Sequence, residues 1–116
     1  IPIQTIAIVQ LVRELYPPAE REKLIAQYWA LEAADREAYA AMQQAQDELN
    51  PNNLTFEDRV KQFGKEEANR QFSPVSAAIE RRQEASAALD AFRKQYRLIA
   101  RMVDNKGSLG KGRYDE

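Results

Sequence analysis

Two ladders of residues, each stepping by alternating fours and threes, constrain this chain more than anything else in it. The first is Leu24, Tyr28, Leu31, Asp35, Ala38, Met42, Ala45 and Leu49; the second is Val75, Ala78, Arg82, Ala85, Leu89, Phe92, Tyr96, Ile99 and Val103. A seam of that period stays on one side of a helix and offers it to a partner helix along its whole length. The spacing predicts two long helices, over residues 18–49 and 74–104, paired as an antiparallel, coiled-coil-like hairpin. A helix of that size reaches roughly 46 Å at ~1.5 Å per residue, too long for a chain of this mass unless another long helix runs beside it.

Pairing the ladders through the middle segment sets Leu49 against Val75, Met42 against Arg82, Asp35 against Leu89, Leu31 against Phe92, Tyr28 against Tyr96 and Leu24 against Ile99. The seam is then aromatic at one end and rich in alanine at the other. Ile25 and Trp29 flank it on the first helix, and Leu98 and Met102 on the second, all at the aromatic end. An additional helix is expected to cover that end.

Ile3 to Tyr16 supplies it. Ile6, Ala7, Ile8, Val9, Leu11, Val12 and Leu15 leave little polar face, so this helix must be buried or bound, and Pro17-Pro18 ends it. Pro18 suits the first turn of the next helix, with Glu20 and Glu22 near its positive end. Asn50-Pro51-Asn52-Asn53 is a turn cluster, and Thr55 with Asp58 three residues on is a variant of the capping box. A shorter helix follows, carrying Phe56, Val60 and Phe63 on one face and broken or kinked near Gly64. Ser73-Pro74 reads as the start of the last long helix, and Asn105 with Gly107 as its stop. The expected fold is all-α: one small helical-bundle domain over 1–104, built on a long hairpin with two short flanking helices. Residues 105–116, with three of the chain's four glycines, read as a flexible basic tail.

Composition narrows the chemistry. The 116 residues include no cysteine and no histidine, which removes disulfides, sulfur or imidazole metal sites, thiol nucleophiles and every triad with an imidazole base. No cofactor is expected and the chain does not read as an enzyme. No run approaches the ~18 apolar residues of a membrane-spanning helix, so a soluble protein, cytoplasmic by default or held within a larger assembly, is the expectation. A start at Ile1 rather than Met predicts a chain processed or trimmed at that end.

Carboxylates are then the remaining acid, base or metal-binding groups. Glu32 with Asp35, and Glu80 with Glu84, share helix faces, but the second pair flanks Arg81 and Arg82 and ordinary surface ion pairing accounts for it. Asp35 on the seam is a register-setting residue, and Arg82 is its charged counterpart two layers away. The run Gly107 to Arg113 resembles a phosphate loop only superficially. It lacks the flanking strand and helix, and Gly112 follows Lys111 where Ser or Thr is required.

The net charge of −1 is unevenly spread, with four basic and eight acidic residues in 1–50 against thirteen and ten in 51–116. Arg93, Lys94, Arg97 and Arg101 form a basic stripe on the last helix, a candidate face for nucleic acid, although acidic residues of the paired helix explain it about as well. Aromatic and apolar side chains off the seam suggest protein contacts instead: Ile3, Ile6 and Val9 on the first helix, Trp29, Phe56 with Phe63, and Tyr114 in the tail. The reading these features support is a non-enzymatic helical interaction or assembly module, a subunit, adaptor or small chaperone whose partner is another protein or a second copy. Nucleic-acid binding is the alternative.

Overall fold

The computed structural model describes residues 3–49 and 54–106, and among these all the regular structure is helical. Five helices follow one another: α1 (Ile3–Leu15), α2 (Pro18–Leu49), α3 (Phe56–Phe63), α4 (Lys65–Gln95) and α5 (Arg97–Lys106). The long pair is α2 and α4, an antiparallel hairpin with short helices flanking it. Every residue of both heptad ladders is buried or half-buried, so the period did identify the inward face. Among the described residues, no helix is long and apolar enough to cross a membrane. Of the expected tail over residues 105–116, Asn105 and Lys106 instead belong to α5, which carries its helical hydrogen bonding to Lys106; the remainder, and the turn at residues 50–53, lie outside the described residues.

Local chemistry sets the boundaries. Pro17 and Pro18 separate α1 from α2, and Arg21 N–H donates to the Pro17 carbonyl at 2.9 Å as the new helix begins. At α3 the capping box is complete: Asp58 N–H donates to Thr55 Oγ1 at 3.1 Å, and Thr55 N–H donates to the Asp58 carboxylate at 3.2 Å. Gly64 then breaks the path with a φ of +88°, a backbone conformation that side chains with a Cβ rarely adopt.

Two boundaries differ from the sequence expectation. Pro74 does not start a helix; it lies inside α4, which begins nine residues earlier at Lys65. Proline there leaves the Arg70 carbonyl without its helical donor. The helix continues because the residues on either side of Pro74 share one inward face: Ala68 before it, Val75 and Ala78 after it, all buried. A break would carry one set off that face. The second difference is the end of the last long helix, which is interrupted at Tyr96 so that α5 forms a separate piece. Its backbone bonds are largely kept, with Tyr96 N–H to Phe92 O at 2.8 Å and Ala100 N–H to Tyr96 O at 3.0 Å.

The described residues fall into two compact units. One comprises residues 3–32 and 88–106, the other residues 33–87, so α2 and α4 contribute to both. The first holds the main apolar core. Ile8, Val9 and Val12 of α1, Leu24, Ile25 and Tyr28 of α2, Leu89 and Phe92 of α4, and Ile99, Ala100, Met102 and Val103 of α5 form one buried cluster. Within it α1 packs on α5. The core of the second unit is made of smaller residues, with Ala38, Ala68, Val75 and Ala78 buried.

Replacing Pro74 by alanine restores the missing N–H donor and removes the ring clash. Pro74→Ala should raise stability by about 1 to 3 kcal/mol, the interior-proline penalty less the entropy that proline removes from the unfolded chain. Equilibrium denaturation checks this; an unchanged or lower midpoint would mean that α4 does not run through residue 74.

Candidate functional site

In the first unit the phenol of Tyr28 is the meeting point of three helices. Its ring is fully buried and stacks on Phe92 with centroids 5.2 Å apart and planes 12° from parallel. Phe92 in turn leans on Tyr96 at 4.9 Å. The hydroxyl donates to the Asp104 carboxylate, with Oδ1 at 2.9 Å and Oδ2 at 3.1 Å, and accepts from Arg93 Nε at 2.9 Å. Helix α2 is thereby joined to α4 through Arg93 and to α5 through Asp104. Burial pushes the Tyr28 phenol above its ordinary pKa; the hydrogen bond from Arg93 opposes this and the Asp104 carboxylate reinforces it. The same contact holds the Arg93 guanidinium further above its usual value.

This contact also corrects the predicted register. Tyr28 meets Phe92, not Tyr96, about one helical turn from the pairing read off the ladders. The second unit departs in the same sense: Asp35 accepts from Ser86 Oγ at 2.6 Å instead of facing Leu89, and Arg82 stacks over the Tyr39 ring at 4.9 Å instead of facing Met42. A ladder rich in alanine slides by a turn at little cost in apolar contact. Polar partners distinguish the registers, and Ser86 and Asp104 had not been read as partners.

Arg59 is the functional-looking residue that sequence reasoning missed. Among the described residues it is the one charged side chain that is buried, and it lies on the same face of α3 as Phe56, Val60 and Phe63. Its Nη1 donates to Gln71 Oε1 at 2.8 Å, its Nη2 donates to the Leu49 carbonyl at the end of α2, and its guanidinium lies 6.0 Å from the centre of the Phe72 ring. A cation at the negative end of a helix is favourable, and here it also fastens α3 to α2 and α4. The available signal was a lone arginine on an otherwise apolar face. Its work is structural.

The predicted contact residues separate into groups. Val9 is buried in the core, and Trp29 is half-buried against the same core cluster, so both serve packing. Ile6 is 46 % exposed, and Leu11 and Leu15, not singled out from the sequence, are 45 % and 59 % exposed. Phe56 lies edge-on to Phe72 at 5.1 Å while remaining exposed, and Phe63 is exposed as well. The side chain of Ile3 and the whole of Tyr114 lie outside the described residues. Of the basic stripe, Arg93 is drawn to Tyr28 and lies 3.8 Å from Asp90, whereas Lys94, Arg97 and Arg101 are exposed. Among the described residues, no group of three or more acidic side chains converges as metal ligands would.

Neither a protein-family model, nor a curated protein, nor a solved structure matches this chain. The side chains of α1 carry most weight, because that helix buries one apolar face and still leaves Ile6, Leu11 and Leu15 exposed beside Gln10, Arg13 and Glu14. The second unit adds an open cleft of about 450 Å³ with Leu49, Phe72, Val75 and Ile79 in its walls.

The raised pKa of Tyr28 has a consequence at alkaline pH. Below the ordinary tyrosine value near ~10 both folded and unfolded chains keep the proton and the contribution is constant. Above it the unfolded chain releases the proton first, so stability falls as pH rises towards the folded value. Tyr28→Phe removes this dependence while costing about 1 to 2 kcal/mol at neutral pH through its lost hydrogen bonds. Denaturation midpoints between about pH 9 and 11 should fall more steeply for the wild-type chain than for the variant. Parallel curves would contradict the buried, proton-holding phenol.

Proposed function

We propose that this chain is a non-enzymatic interaction module that docks a different protein through α1, as a subunit or adaptor of a larger assembly. The observation that carries the reading is the double apolar character of α1. Ile8, Val9 and Val12 are taken up by the core, while Ile6, Leu11 and Leu15 remain exposed. A helix with apolar side chains on both sides is ordinarily buried on both. Ala7, Leu11 and Leu15 follow one another at intervals of four and form a continuous ridge on the solvent side, of the kind that packs into the groove of another helix.

The size of this ridge favours a different protein over a second copy. Three large side chains, each roughly half exposed, fall well short of the ~800 Å² per partner that a stable interface of standard size takes. A partner that reaches beyond α1 with its own surface makes up the difference; an isologous pair of ridges does not. Phe56 and Phe63 offer a separate apolar contact on the second unit.

The test places a photo-crosslinking residue at position 15 of the full chain in cells of its source. A discrete adduct of fixed mass is expected, and its yield should hold when irradiation is repeated in lysate brought to ~1 M salt, because apolar packing is not screened. The companion substitution Leu11→Asp should reduce its yield at least tenfold. No adduct, or one indifferent to Leu11→Asp, would overturn the reading.

A further inference from the structure

The cation stripe of the last two helices is the surface that protein docking through α1 leaves unused. Asp90, Lys94, Arg97, Arg101 and Asp104 are separated by four, three, four and three residues, so they share one side of α4 and α5. The helical hydrogen bonds at Tyr96 and Ala100 carry that side across the junction between the two helices. Both acids at its ends are engaged: Asp104 accepts from Tyr28, and Asp90 lies 3.8 Å from Arg93. The three cations between them are exposed, and among the described residues none of them pairs with a carboxylate. Arg93, the fourth member of the stripe read from sequence, is the one held by Tyr28.

We propose that Lys94, Arg97 and Arg101 form a docking strip for the phosphodiester backbone of a nucleic acid, bound without regard to base sequence. The strip covers about 10 Å at ~1.5 Å per residue, and the acids at either end limit it to that length. Two of its three cations are guanidinium groups, whose planar fork matches a phosphate with paired hydrogen bonds. A single row of cations suits the edge of a linear polyanion. A lipid surface rewards a planar basic patch joined to an apolar anchor, and this row contains no apolar side chain.

The measurement is fluorescence anisotropy of a labelled 20-base-pair DNA duplex of arbitrary sequence with the full chain, titrated at several salt concentrations. Each cation–phosphate contact adds about 0.9 to the slope of log affinity on log salt, so the strip contributes about 2.7, or roughly a 40-fold loss of affinity between about 25 and 100 mM salt. The variant K94A/R97A/R101A removes exposed side chains only, and circular dichroism confirms that it is folded. Its slope should be shallower by about 2.7. Absence of binding at about 25 mM salt, a slope unchanged in the variant, or binding to phosphatidylglycerol vesicles with none to the duplex would each overturn the assignment.

Discussion

The hydroxyl of Tyr28 is the contact on which the first unit depends. A fully buried phenol needs a partner for its polar end, and this one has a carboxylate from α5 and a guanidinium from α4. Apolar packing would tolerate α5 at several positions along α2, because Ile99, Met102 and Val103 are interchangeable in kind. A directional bond from Tyr28 to Asp104 admits one. Since α1 packs on α5, the same bond fixes where α1 lies and which of its faces is covered. Hydrophobic burial supplies the stability of this unit, and the polar trio supplies its uniqueness.

That arrangement gives α1 its double character. Its inward residues complete the core, with Val12 fully buried, while Leu11 and Leu15 on neighbouring positions stand in solvent. An isolated helix of this composition would be too apolar to remain exposed. Anchored by one face, it can present the other. The second unit is held differently, by Arg59 closing the end of α2 and by the pairs Asp35–Ser86 and Tyr39–Arg82 between its long helices. Its alanine-rich seam offers little apolar area to bury, so directional contacts carry more of the register there than in the first unit.

Much of the architecture could be read in the sequence because helix periodicity and capping are local. The heptad ladders located the inward faces of α2 and α4, Thr55 with Asp58 located the start of α3, and Pro17-Pro18 separated α1 from α2. Register was not legible, because it depends on which polar groups meet across the seam. Asp104 stands near a helix end, and nothing in its neighbours in the sequence announces Tyr28, 76 positions away. Pro74 misled for the opposite reason: a strong local signal was overruled by buried residues on both sides of it. The basic stripe was visible as a pattern of four, but the loss of Arg93 to Tyr28 follows only from the packed structure. The ridge at Leu11 and Leu15 was hidden because a helix apolar all round gives no hint of which side its core will take.

The central claim is that both heptad ladders find their partners within one chain, so that Tyr28, Phe92 and Asp104 of the same molecule make the contact described. Absolute mass by light scattering after gel filtration, at low and at high salt, tests it most directly. The account predicts a monomer of 13.3 kDa under both conditions. A dimer that persists at both salts would contradict it, because the same seam would then be closed between two chains.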